Sequence, residues 1–419
     1  MSEVVNIPQL RFPEFNGGWK ESRIGKIYKD LRTGSTPSRA VKSYFKGDNP
    51  WITSGELKYN RISTTFEQIS DEAIKDTNLV LYQPGTLFIA ITGLEAPGTR
   101  GKCAINAVPS TTNQSCLAFR KVDSVDTIYM FYWYLKYGKP LYFKYAQGTK
   151  QQSFNNKIVE KFQIFLPNKP EQQKIAAFLS AVDNKIEQLS KKQELLGEYK
   201  KGLMQQIFSQ AIRFKADDGS DFPDWEEVKL GNIGEFKTSS VDKKIVEGQK
   251  LIQLVNYMNV YKHENIKNNS TKDLMIVSAN ETQLNASDLK KGDILFTPSS
   301  ETPDDIGHSV VIFEDLMDTL YSYHLMRFRP KVQLDILYSH YFCNIPDVLR
   351  QISRVATGST RFTISVGEFS KIQINLPSLL EQTKIANFLS SIDTKIEQVG
   401  KQLDESKQFK KALLQQMFV

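Results

Sequence analysis

With 419 residues, 40% of them hydrophobic and 24% charged, the chain is long enough for two or three domains with cores of their own. No apolar run approaches the roughly 20 residues that span a bilayer. The opening MSEVVNIPQLRFPEF lacks the basic-then-apolar pattern of a secretion signal. Cys103, Cys116 and Cys343 form no CxxC pair, which predicts buried thiols in a reducing, cytoplasmic setting. Four scattered histidines, His263, His308, His324 and His340, argue against a zinc site. The net charge of +7 is unevenly spread: residues 1–165 carry 22 Lys/Arg against 14 Asp/Glu, and residues 211–375 carry 19 against 23. A basic first region suits a polyanion partner, and the acidic second does so only where its cations cluster. On charge alone, an ordinary basic cytoplasmic protein fits as well.

In chain order, residues 1–165 show short strands such as GTLFIAI and SCLAFRKV, then a helix over 124–142 whose Phe131, Tyr134 and Leu135 suit a core. Residues 166–210 hold no Pro after Pro170, and Asn168 with Glu171 has the spacing of a capping box, so one long helix is expected. Residues 211–375 return to short strands, DILFTP and HLMRFRP, with a helix over 333–352. Residues 376–419 form a second long helix, with Ser378 and Glu381 as the corresponding capping box. Each long helix should run about 40 residues, roughly 60 Å. Each globular domain is expected to be α+β around a mainly antiparallel sheet.

The two helical segments are copies. At an offset of 210, residues 166–209 and 376–419 match at 22 of 44 positions, with EQQKIAAFLSAVDNKIEQ answered by EQTKIANFLSSIDTKIEQ. Apolar residues recur at spacings of 3 and 4: Ile175, Leu179, Val182, Ile186, Leu189, Leu196, Leu203 and Ile207 in the first, and Ile385, Leu389, Ile392, Ile396, Val399, Leu403, Leu413 and Met417 in the second. These are heptad a and d positions, so each helix needs a partner, most simply the other copy; separate packing of each on its own domain is the alternative. Gln193, Lys200, Ser406 and Lys410 interrupt the seam and are expected to fix its register. The copying extends further. AQGTKQQSFNNKIVEKFQIFLP (146–167) aligns with ATGSTRFTISVGEFSKIQINLP (356–377), Trp19 with Trp225, and PGTLFIAITG (84–93) with KGDILFTPSS (291–300). Residues 35–80 and 238–290 show no such match. A shared frame around different interiors implies one architecture presenting two recognition surfaces.

These segments, with GWKESRIGKI, TGSTPS, PWITSGEL and AQGTKQQSF, resemble the specificity subunits of Type I DNA restriction–modification enzymes over the whole length. The resemblance implies two target recognition domains (1–165 and 211–375) separated by two conserved helices (166–210 and 376–419) paired as an antiparallel coiled-coil spacer with an internal pseudo-twofold repeat. It implies a bipartite double-stranded DNA target, one half per domain. It also implies two modification subunits using S-adenosylmethionine, and two restriction subunits using ATP with Mg2+, for adenine methylation or DNA cleavage, with no cofactor or metal on this chain.

Loops rich in Lys, Arg, Ser, Thr, Asn and Gln, the side chains that meet phosphates and base edges, supply the DNA-binding candidates. In the first domain these are Arg32, Thr33, Ser35, Thr36, Thr53, Ser54, Lys58, Tyr59, Thr92, Glu95, Arg100, Lys102, Asn113, Gln114, Lys150, Gln151 and Gln152. In the second they are Lys237, Ser239, Ser240, Asn256, Tyr257, Lys262, Ser299, Ser300, Glu301, Tyr321, Tyr323, His324, Ser359, Thr360 and Arg361. Any one loop could equally be a solvated turn. The pairs QGTKQQS with TGSTRF, and TGLEAPG with TPSSETP, stand out because both halves carry them at the same place. Arg361 is expected to contact a phosphate, read a guanine, or pair with Glu368. Glu95 and Glu301 are expected to accept from a cytosine amino group or to face solvent. No GxGxxG follows a strand, GLEAPGTRGK has Thr99 where a phosphate-loop lysine belongs, and DNPW is only a fragment of an amino-methyltransferase motif, so catalysis is expected to belong to partners. A stand-alone bipartite DNA-binding regulator, an enzyme with an unrecognised site and a coiled-coil scaffold without DNA are the competing readings.

Overall fold

The computed structural model describes residues 6–94, 99–146, 151–264, 266 and 271–419. The candidates Glu95 and Lys150 lie outside the described residues. The chain divides into two compact units: residues 1–190 with 401–419, and residues 191–400. Both boundaries fall inside the long helices, so each unit takes the tail of a helix whose head belongs to the other.

In the first unit the central sheet runs Arg32–Thr33, Cys116–Phe119, Leu87–Ala90, Cys103–Asn106, Arg61–Ile62. The three middle strands, LFIA, CAIN and CLAF, are buried at every position. Alternation explains it. Leu87, Ile89, Cys103, Ile105, Leu117 and Phe119 face one core, which holds the helix Thr127–Tyr145. Phe88, Ala90, Ala104, Cys116 and Ala118 face a second core with Ile52, Leu57 and Ile62. Pairing is antiparallel except where Arg61–Ile62 meets Cys103–Asn106, and where Trp51 and Ile52 meet Thr111 and Thr112.

The second unit repeats the plan with a four-stranded antiparallel sheet, Gly234–Thr238, Met326–Pro330, Ile294–Phe296, Ser309–Val311. A three-stranded sheet stands beside it, Met275–Ala279, Lys250–Val255, Thr319–Tyr321, its last pair parallel. The helix expected over 333–352 is broken into Ile336–Phe342 and Pro346–Val355. Pro346 has no N–H to give an ongoing helix and sits instead at a fresh N-terminus, where none is needed. In the first unit Pro140 lies inside one continuous helix.

The long helices are Lys169–Phe208 and Leu379–Gln416. In the first unit Ile175 and Leu179, near the start of one, share a core with Leu413, Met417 and Phe418 at the end of the other. In the second unit Ile207, at the end of one, shares a core with Ile385 and Leu389 at the start of the other. The pairing is therefore antiparallel, and the expected seam positions are buried or half-buried throughout. Gly400 makes room for the Gln193 side chain: a Cβ there would stand 2.7 Å from Gln193 Nε2.

The polar seam residues are held by a reciprocal set of bonds. Lys410 Nζ lies 2.5 Å from Asp183, which also accepts from Tyr132 Oη at 2.7 Å. In the second unit Lys200 Nζ lies 2.5 Å from Asp393, which accepts from Tyr341 Oη at 2.7 Å. Lysine and aspartate come from opposite copies of the repeat each time, so each helix locks the other in register.

The repeated Glu-Gln phrase is likewise structural. The main-chain half of each capping box forms, Glu171 N donating to Asn168 at 2.9 Å and Glu381 N to Ser378 at 3.4 Å. The glutamate carboxylates go elsewhere, which corrects the full-box expectation. Glu171 accepts from Arg11 at 2.7 Å through both oxygens and from Trp19 Nε1 at 3.3 Å; Glu381 accepts from Arg213 and from Trp225 Nε1, both at 2.9 Å. Gln172 and Gln382 accept from the main chain of Asp126 and Asp335, the N-caps of the domain helices. The shared frame is thus a set of ties from each long helix to its domain.

Candidate nucleic-acid interface

The polar loops are joined in series by direct bonds within each unit. In the first, Gly34 N donates to Asn113 O at 3.1 Å and Thr36 Oγ1 to Gln114 at 2.6 Å, tying residues 31–39 to 111–115. Asn113 N reaches Ile52 O at 3.0 Å, and Tyr59 N reaches Cys103 O at 2.9 Å, carrying the chain of contacts through 52–60 to the end of 92–102. Thr92–Leu94 then pairs antiparallel with Gln151–Ser153, Ser153 opposite Thr92. In the second unit Tyr321 Oη donates to Lys237 O, Ser322 N to Val255 O, and Tyr257 Oη to Ser299 O. Ser299–Ser300 pairs antiparallel with Phe362–Thr363. The two loop pairs picked out by their matching positions are therefore strand partners of each other in both units. The feature is a short antiparallel ribbon, suited to presenting side chains at its tip.

Most candidates lie at or near the surface. Arg32, Thr33, Thr36, Lys58, Tyr59, Gln114, Ser240, Lys262, Glu301, Tyr323, Ser359, Thr360 and Arg361 are exposed. Ser35, Thr53, Ser54, Thr92, Arg100, Lys102, Asn113, Lys237, Ser239, Asn256, Tyr257 and His324 are half-buried. Three are not on the surface. Tyr321 is fully buried, its hydroxyl spent on Lys237 O, because it packs into a core of the second unit with Val255, Leu295 and Leu325. Ser299 and Ser300 are buried at the base of the ribbon. Some of these cations are already engaged: Arg32 pairs with Asp30, while Lys58 and the half-buried Lys102 lie over Phe66 and Tyr59. Arg361 does not pair with Glu368, which holds Lys371; its guanidinium donates to Ser299 Oγ at 3.0 Å. Burial lowers the His324 pKa, and Lys243 and Arg361 add to that.

A cleft of about 450 Å³ opens beside the second ribbon, lined by Tyr257, Tyr261, Ser300, Glu301, Asp305 and Arg361 among others. Tyr261 stacks on Tyr257 with centroids 5.9 Å apart and donates to Asp305 at 3.1 Å. His308 Nε2 lies 2.8 Å from Asp305 and His308 Nδ1 3.2 Å from His263. The polar loops read from the sequence, 255–263 and 297–305, contain Tyr261 and Asp305 without singling them out and stop short of His308; the i,i+4 aromatics of YMNVY were the available signal for Tyr261. Among the described residues no group of three His, Cys, Asp or Glu could hold a metal ion, and no helix is long and apolar enough to cross a membrane. The three cysteines are buried and unbridged, and burial pushes the Cys116 thiol up to about 12.

The family described as Type I restriction modification DNA specificity domain matches this chain twice, at residues 16–196 and 223–405. The chain belongs to this family. As a Type I specificity subunit it carries two target recognition domains, one per match. It is 25% identical over 419 residues to the MjaVIII specificity subunit of Methanocaldococcus jannaschii, covering 97% of this chain and 92% of that one. With the MjaIX specificity subunit of the same organism it is 30% identical over 245 residues, 53% of this chain and 56% of that relative. The fold is similar to that of the S subunit of the M. genitalium Type I restriction–modification system, with a TM-score of 0.57, 16% identity, and 99% of each chain covered. A chain from a structure addressing complex assembly and conformational transition of the type I R-M system gives the same TM-score, covering 97% and 98%.

Proposed function

We propose that this specificity subunit recognises a bipartite, asymmetric DNA target, one half-site per recognition domain, and scaffolds two modification subunits and, through them, two restriction subunits. The observation that carries this reading is the contrast between what the repeat preserves and what it varies. The ties of Glu171 and Glu381 and the locks at Asp183 and Asp393 recur almost atom for atom, whereas residues 35–80 and 238–290, which supply two of the polar loops in each domain, share no sequence pattern. Duplicated surfaces suit two copies of one partner; divergent loops suit two different half-sites. The helix pair is the element that sets the gap between them. S-adenosylmethionine, and ATP with Mg2+, are carried by the partners, which perform adenine methylation and cleavage. The test is binding of the chain, alone and assembled with its modification subunits, to target and scrambled duplexes at several salt concentrations. Specific binding that appears or strengthens greatly on assembly supports the reading. Equally specific binding by the isolated chain favours a stand-alone regulator, and methyl transfer by the isolated chain contradicts the adaptor role.

A further inference from the structure

The tip of the second ribbon presents a donor and an acceptor side by side. Ser300 stands opposite Phe362 in the antiparallel register. Just beyond that pair, Glu301 and Arg361 line one wall of the same cleft. Both are exposed. Opposite charges so placed ordinarily pair with each other, yet no ion pair joins them among the described residues. Arg361 is anchored by Ser299 Oγ at 3.0 Å, and Ser299 is itself buried and held through its carbonyl by Tyr257 Oη at 3.0 Å. That anchor uses one N–H of a five-donor guanidinium and leaves the rest of the fork available. The cleft of about 450 Å³ beside them is walled by the stacked Tyr257 and Tyr261, of which Tyr257 holds the ribbon at Ser299.

A fixed guanidinium next to a carboxylate matches one base pair. Guanine offers two acceptors, O6 and N7, in the major groove, and its partner cytosine offers the N4 amino donor. An A·T pair keeps the N7 acceptor but sets the adenine N6 amino donor beside it, with O4 and a methyl group on thymine, so the second arm of the fork meets a donor and the carboxylate finds no cytosine amino group. Resting on the reading given under Proposed function, we propose that Arg361 and Glu301 read a single G·C pair in the half-site of the second domain. Arg361 donates to guanine, Glu301 accepts from cytosine, and Ser299 with Tyr257 positions the arginine.

The experiment is selection from a randomised duplex library, and methylome sequencing in cells, using the full chain assembled with its modification subunits. The variants are R361A, R361K and E301Q, with wild type alongside. The expected result is that one G·C position of one half-site loses its preference, by roughly 5- to 150-fold in R361A. R361K relaxes the same position because an ammonium cannot make the fork, and E301Q relaxes it too. The other half-site keeps its selectivity and shows that the complex is intact. The proposal is overturned if every position keeps its selectivity, if R361A weakens all sequences equally, or if the relaxed pair is A·T. A wild-type methylome without a bipartite motif would instead remove the underlying reading of function.

Discussion

Truncating Arg11 to alanine measures how the repeated Glu-Gln phrase anchors its helix to a recognition domain. The Glu171 side chain is 1% exposed and Arg11 13%, with both carboxylate oxygens 2.7 Å from the guanidinium. Without Arg11 the carboxylate keeps only Trp19 Nε1 at 3.3 Å. Removing one partner of a buried ion pair costs about 3–5 kcal/mol, chiefly because the remaining charge stays desolvated. For a unit of about 200 residues each kcal/mol moves Tm by about 2–4 °C, so R11A should melt roughly 6–20 °C lower. The matching change in the other unit should be milder. Arg213 is 25% exposed, and water can replace part of what it gives Glu381, for a loss of about 1.5–3 kcal/mol. The assays are thermal unfolding and amide hydrogen exchange, with R11A deprotecting residues 169–180 and R213A residues 379–390. Joint replacement of Arg11 and Glu171 by Met and Leu should recover most of the loss. R11A melting within 1 °C of wild type, or R213A proving the more damaging, would refute the reasoning.

Other expectations follow from the seam and its surroundings. The Lys200–Asp393 pair is partly exposed but shares its carboxylate with Tyr341, so a K200M/D393N double-mutant cycle should give a coupling of about 1 kcal/mol; zero coupling would show that the lock adds nothing. Burial, helped by the Lys200 ammonium, holds His340 below the ordinary histidine pKa of 6.5. The unfolded chain therefore takes up the proton first as pH falls. This contribution to stability is complete above about pH 6.5 and is lost as pH drops through 6.5 towards the folded value. Denaturant titrations of wild type and H340Q should diverge in that window, and parallel curves would contradict the assignment. Inserting one helical turn after Leu196 adds about 5.4 Å, against about 3.4 Å per base pair. The gap between half-sites should change by one or two base pairs with both half-sites unchanged, read from the methylome; an unchanged gap with full activity would remove the ruler role.

The long helices were legible in the sequence because a 3.6-residue period and an absence of Pro act locally. That they pair with each other was legible because the seam was copied; the antiparallel direction came from the family resemblance alone. The mutual lock at Asp183 and Asp393 was not, since its tyrosines, Tyr132 and Tyr341, come from domain helices some 50 residues away and only the fold brings them in. The break before Pro346 could not be read from the proline alone, since Pro140 lies inside a helix that runs on uninterrupted. In the candidate interface, loop composition located the polar segments, and matching positions in the halves found the strand-paired ones. Composition could not tell Tyr321, a core residue, from Tyr323, an exposed one two positions on. Residues two apart share a face of a strand, so the distinction rests on where the strand Thr319–Tyr321 stops: Tyr321 ends it inside a core, and Tyr323 lies past it in a turn.

The most direct test is to replace residues 211–375 with the same region of another family member, assemble the chimera with the modification subunits, and sequence the methylome. One half of the methylated motif should change to that of the donor, while the other half and the gap stay as in the wild type. A change in both halves, or in neither, would contradict the assignment of one half-site to each recognition domain.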